Sequence, residues 1–181
     1  MSDTQWPRFQ VLQQLRENQP HENAGTVHAV DGEMALLNAR DVFVRRPDCV
    51  SLWVVPVEAI FSKTAEELMH WSPTNEIEAG TNQPESYHVF QKLKHVGTHI
   101  HMGDVEATNP AQAMKMALER FNEGKPLVWW VFPARAVTRS EADDIESMFA
   151  PAYDKDFRSP GFYHTVAQMH EIKKAQEKIE D

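Results

Sequence analysis

Residues 9–43, FQVLQQLRENQPHENAGTVHAVDGEMALLNARDVF, overlay residues 87–121, YHVFQKLKHVGTHIHMGDVEATNPAQAMKMALERF, without a gap. At this offset Val11, Gln13, Leu15, His21, Gly25, Val27, Ala29, Ala35, Ala39 and Phe43 fall on Val89, Gln91, Leu93, His99, Gly103, Val105, Ala107, Ala113, Ala117 and Phe121. These are 10 identities in 35 positions, where unrelated sequence gives roughly 2 at ordinary residue usage. One residue then drops out and the overlay resumes, with Trp53, Val54, Pro56 and Ala59 on Trp130, Val131, Pro133 and Ala136. The chain is a tandem duplication of one small unit, and its function is to be sought in what a pair of such units does.

The matched positions predict the elements. Phe9, Val11 and Leu15, with Gln13 among them, alternate as one face of a strand, and Tyr87, Val89 and Leu93 repeat it. A polar stretch from Arg16 to Glu22 leads to a second strand around Gly25–Val30, the pattern of a hairpin. Asp31 and Asn109 match as helix N-caps, and Pro110 occupies a first helical position, where its missing N–H costs nothing. Ala35, Ala39 and Phe43 recur four apart, as do Ala113, Ala117 and Phe121, so small residues allow close packing of helix on sheet. Pro47, and Gly124 with Pro126, stop the helices. The runs 51–55 and 127–132 read as buried strands ended by Pro56 and Pro133. Each copy is ββαβ, and the chain is expected to be α+β, two copies packed as a pseudo-dimer with mostly antiparallel sheet and helices on one face. The order of strands is left open. The predicted organisation is a first copy over 1–70, a linker over 71–85 rich in Pro, Asn, Thr and Glu, a second copy over 86–139, and a C-terminal helix and arm over 140–181.

Composition narrows the partners. Lys and Arg number 18 against 27 Asp and Glu, a net charge of −9. Without a basic cluster, such a chain is poorly suited to phosphate backbones, so no nucleic acid is expected. No apolar run reaches the length of a membrane span, and the N-terminus lacks a basic segment leading into an apolar one. A single cysteine, Cys49, fits a reducing compartment, and the expected location is cytoplasmic.

Trp6-Pro7-x-Phe9-x-Val11, Gly25-Thr26-Val27-His28-Ala29, Ala35-Leu36-Leu37-Asn38-Ala39-Arg40-Asp41-x-Phe43-x-Arg45-Arg46 and Leu52-Trp53-Val54-Val55 together resemble the B subunit of phenylacetyl-CoA epoxidase, the phenylacetate-degradation PaaB family. Phe149-x-Pro151-Ala152 followed by Arg158-x-Pro160-x-Phe162-Tyr163 resembles the C-terminal tail of that family. Its typical member is a single copy of roughly half this length, the scale of one core per domain. The resemblance implies a non-catalytic bridging subunit of a multicomponent di-iron epoxidase acting on a CoA thioester. The di-iron centre would belong to a ferritin-like catalytic subunit with a structural partner, and flavin and iron–sulfur groups to a reductase met only indirectly. No cofactor is then expected in this chain. Such proteins act in pairs, and a tandem chain would supply both members covalently.

Few residues point to chemistry of the chain's own. A di-iron bundle needs two Glu-x-x-His motifs on long helices, and there is one, Glu67-Leu68-Met69-His70. His95-x-x-x-His99-x-His101 is the sharper metal candidate, because His99 and His101 share a strand face. It has no Cys or acidic run to complete a ligand set. Cys49, near a helix end, lacks the electropositive setting of a nucleophile. Trp53, Trp129 and Trp130 read as core or inter-copy packing. Partner contacts are expected at Arg45 and Arg46, where the alternative is stabilisation of the helix end. They are expected also at Phe149, Arg158, Pro160, Phe162 and Tyr163, where the alternative is an arm folded back on its own sheet. Two rival readings stand beside the bridging one: a stand-alone small-ligand-binding protein, and a metal enzyme centred on His99.

Overall fold

The computed structural model describes residues 6–44, 49–72, 83–141, 143, 145–152, 169–170 and 172. Arg8–Gln14 (β1) and Glu22–His28 (β2) form the first hairpin, followed by the helix Gly32–Phe43 (α1) and the strand Ser51–Pro56 (β3). The second copy repeats this as Glu85–Lys92 (β5), Ile100–Ala107 (β6), Pro110–Arg120 (α3) and Val128–Pro133 (β7). Asp31 caps α1 by accepting from the Met34 N–H at 2.8 Å, and Asn109 caps α3 by accepting from the Gln112 N–H at 2.8 Å. Leu15 falls outside β1 and is exposed, while β2 begins earlier than its apolar residues suggest. Two strands were not foreseen: Phe61–Thr64 (β4), leading into the short helix Ala65–Met69 (α2), and Thr138–Arg139 (β8), which precedes the helix Ile145–Phe149 (α4).

The eight strands among the described residues join one antiparallel sheet in the order β4-β7-β5-β6-β2-β1-β3-β8. In each copy the third strand lies beside the first. The order reads alike from both ends once the copies are interchanged, and each edge strand is borrowed: β4 of the first copy pairs with β7, and β8 of the second with β3. The copies meet at a short seam, where the Asn23 N–H donates to the His99 carbonyl and the His101 N–H to the His21 carbonyl, both at 2.9 Å. These two bonds are each other's equivalents in the repeat.

Matched residues explain one another. The register slips between Val11 and Leu12 in β1 and between Val89 and Phe90 in β5. The extra residues are Ala24 in β2 and Met102 in β6, and beside each sits a glycine, Gly25 at φ 147° and Gly103 at φ 141°, a conformation that disfavours side chains. The rings of Phe43 and Phe121 press on them, so that a Cβ would come within 2.7 Å and 3.0 Å respectively. Alternation then sorts the strands into two faces. Val11, Leu52 and Val54 pack under α1, and Val89, Trp129 and Val131 under α3. Leu12, Val55, Phe90 and Phe132, all fully buried, form a third cluster on the opposite face that belongs to both copies.

The sheet curls around that third cluster. β3 and β5 stand four places apart, about 19 Å in a flat sheet, yet the rings of Trp53 and His88 are 4.7 Å apart between centroids. Among the described residues no helix is long and apolar enough to cross a membrane. Because the inner cluster and the exchanged strands join the copies, the chain is expected to unfold in a single transition. Phe90→Ala should lower its stability by about 3–5 kcal/mol, read from urea denaturation. Two resolved transitions would separate the copies.

Candidate polar site on the inner face

Beside its apolar cluster the inner face carries polar residues, histidines foremost among them. His88 on β5 pairs in register with Asp104 on β6, and its Nδ1 lies 2.6 Å from Asp104 Oδ1. His101, also on β6, places its Nε2 2.9 Å from the same oxygen. Arg139 arrives on the exchanged strand β8 and donates to His88 Nε2 at 2.6 Å. Its guanidinium carbon lies 4.5 Å from the centroid of Trp53, its partner in register on β3. The result is a chain of hydrogen bonds, Arg139 to His88 to Asp104, with His101 as a second donor to the carboxylate.

Protonation follows from these contacts. An arginine only donates, so His88 Nε2 is the acceptor nitrogen and Nδ1 carries the hydrogen given to Asp104. Burial lowers the His88 pKa, His101 and Arg139 push the same way, and Asp104 opposes them. For Asp104 burial acts upward, but the hydrogen bonds and charges of His88 and His101 outweigh it and hold the carboxyl below its usual range.

His88, His101 and Asp104 offer three donor atoms within 4.8 Å of one another, the residue types of a three-ligand metal site. Two features oppose coordination. A metal on His88 Nδ1 would move the hydrogen to Nε2, straight against the donating guanidinium. Ligands sharing a tetrahedral zinc also stand roughly 3.3 Å apart, wider than the 2.6 Å and 2.9 Å separations here. The constellation reads as a hydrogen-bonded relay that ties β8, paired on the first copy's β3, to β5 and β6 of its own copy.

Around it each copy stacks a histidine on a tryptophan. His21 lies on Trp53 at 3.8 Å and His99 on Trp130 at 3.4 Å between centroids. His21 Nε2 is 3.0 Å from Ser51 Oγ, whereas His99 Nε2 is buried without a partner among the described residues. Burial first, then His101, His88 and Arg139, lower the His21 pKa to about 3. Burial and Lys92 lower that of His99 to about 4.

This arrangement divides the candidate His95, His99 and His101. His99 and His101 both border the inner face, but His99 is taken up by Trp130 and His101 by Asp104, and His95 is exposed in the turn before them. Glu67 is a capping residue, accepting from the Thr64 N–H at 2.7 Å while its own N–H donates to Thr64 Oγ1. Cys49 is buried and its thiol pushed up to about 11, mainly by that burial. Phe149 is only 4% exposed and packs into the first copy's core beside Ala152, so its ring is not offered to a partner. Arg45, Arg46, Arg158, Pro160, Phe162 and Tyr163 lie outside the described residues. Ligand spacing along the sequence passes over His88, Asp104 and Arg139. The repeat holds a signal for the first two: His88 and Asp104 fall on Gln10 and Thr26, as His101 falls on Asn23, a polar set at matched positions of both copies.

A family model described as Phenylacetic acid degradation B matches the chain in two segments, residues 5–77 and 83–170. The B subunit of 1,2-phenylacetyl-CoA epoxidase from Escherichia coli (strain K12) is 39% identical over 67 residues, covering 37% of this chain and 70% of the relative. No solved structure matches the chain.

Two measurements test the site. His21 and His99 are held neutral in the fold, so their contribution is present above the unfolded pKa of 6.5 and is lost as pH falls towards about 3 and about 4. Unfolding free energy should drop below pH 6.5 by up to ~1.4 kcal/mol per pH unit for each histidine, and His21→Gln should flatten that slope. Arg139→Ala should cost about 1–3 kcal/mol and move the His88 titration, followed by NMR, to higher pH. An unmoved titration would take Arg139 out of the relay.

Proposed function

The chain belongs to the phenylacetic acid degradation B family, and we propose that it acts as a non-catalytic bridging subunit of a multicomponent epoxidase working on an aromatic CoA thioester. The observation that carries this reading is the pair of family segments joined in one continuous sheet. A relative that is one subunit of a phenylacetyl-CoA epoxidase supports it. The exchange of β4 and β8 supports the further reading that this chain supplies, covalently, both members of a pair of B units. The partners would be a ferritin-like catalytic subunit holding the di-iron centre and its structural companion, with a flavin and iron–sulfur reductase supplying electrons. The complex would be cytoplasmic.

A bridging role asks for rigidity and two presented surfaces rather than a reacting group. The relay on the inner face fits that role, since its hydrogen bonds hold β5, β6 and β8 together. Co-expression with the oxygenase subunits is the test. The chain should co-purify with both, turnover of phenylacetyl-CoA should need its presence, and the chain alone should be inert with metal well below one equivalent. A fully active oxygenase without this chain would sink the proposal.

A further inference from the structure

The duplication supplies an internal reference for each site. Trp53 and Trp130 are equivalents, each stacked on the equivalent histidine, but their surroundings then part in three places. Ser51, which bonds His21, is replaced by Val128, and His99 Nε2 is buried with no partner among the described residues, in a residue only 8% exposed. Arg139 stands opposite Trp53 in register, whereas Ser62 stands opposite Trp130. Among the described residues no cation lies over Trp130, which is half-buried. His88, which accepts from Arg139, is replaced by Gln10. The Gln10 side-chain nitrogen donates to Asn23 Oδ1 and the Gly25 carbonyl, while its Oε1 accepts nothing among the described residues.

The second half-site thus keeps the stacking surface and an acceptor, and it lacks the group that joins them in the first. That group is a guanidinium: planar, so that it lies on an indole, and a donor only, so that it meets an acceptor at its edge. Ser62 is exposed on β4, an edge strand of the sheet, which leaves this flank open to another molecule. Lys92, whose charge acts on His99, opposes a cation here and makes an isolated side chain a weak ligand. We infer that the Trp130 half-site receives an arginine side chain from a partner polypeptide, stacked on the indole and donating to Gln10 Oε1. This rests on the bridging reading only for the identity of the polypeptide.

The test uses the full chain. N-acetyl-arginine amide is titrated while the indole N–H signal of Trp130, assigned with Trp130→Phe, is followed by NMR. A saturable shift is expected, with about tenfold weaker response to N-acetyl-lysine amide, and none in Ser62→Arg, where the chain fills its own site. An absent shift, an equal response to lysine, or an undiminished response in Ser62→Arg overturns the inference. In co-purification, Ser62→Arg should retain its melting temperature and hold about fivefold less of the oxygenase subunits. Undiminished retention overturns the partner's arginine while the bridging reading stands. Should the unaltered chain hold no oxygenase subunits, that reading falls, and the titration still decides the guanidinium site.

Discussion

A ββαβ unit covers only one face of its three strands. In the first copy α1 lies over Val11, Leu52 and Val54, but Leu12 and Val55 point the other way, where the unit has no layer of its own. The second copy has the same deficit at Phe90 and Phe132. Burying such a side chain stabilises by about 1.5–3 kcal/mol, so each copy gains by closing this face against the other. The rest of the architecture follows. The seam between β2 and β6 is short, and the join depends on the shared inner cluster and on two borrowed edge strands. Borrowing extends to the helical layers. Leu68 and Trp71 from the first copy pack on the second copy's core, and the equivalent Ile145 and Met148 pack on the first.

The same closure creates the polar site. A polar residue on a strand face that becomes interior must find partners or forfeit its solvation. In one half Gln10 and Asn23 answer this with amides. In the other His88, His101 and Asp104 answer it with two imidazoles and a carboxylate. Arg139 reaches His88 only because β8 has crossed to the first copy's β3, which makes strand exchange the device that builds the relay as well as the one that covers the sheet.

The repeat made most of the fold legible, since a residue kept in both copies reports a contact made twice. Gly25 with Phe43 and Gly103 with Phe121 are of this kind, as are the two N-caps. The borrowed strands escaped because neither carries a period. Phe61-Ser62-Lys63-Thr64 has one apolar residue and Thr138-Arg139 none, and both owe their pairing to a neighbour distant in sequence. The site escaped for a different reason. Metal-ligand spacing is a rule about neighbours on one strand, and it singles out His99 and His101. The structure instead joins His101 to His88, 13 residues away across a hairpin. Phe149 looked free for lack of a periodic partner, yet its partner is the other copy's core.

Fusion also explains why the halves differ. In a pair of identical chains every substitution acts on both half-sites, so a gain in one must not damage the other. In a tandem chain each position changes alone. The inner face shows one consequence, with Arg139, His88 and Ser51 answered by Ser62, Gln10 and Val128. The outer helices show another. α1 exposes Met34, Leu37 and Val42, whereas the equivalent residues of α3 are Gln112, Lys115 and Arg120. Exposed apolar residues on one helix and polar or charged ones on its counterpart give the two helices different surface chemistry on a common frame. A frame of this kind can hold two unlike neighbours in fixed relation, which a symmetric pair of identical surfaces cannot do without offering each neighbour both places.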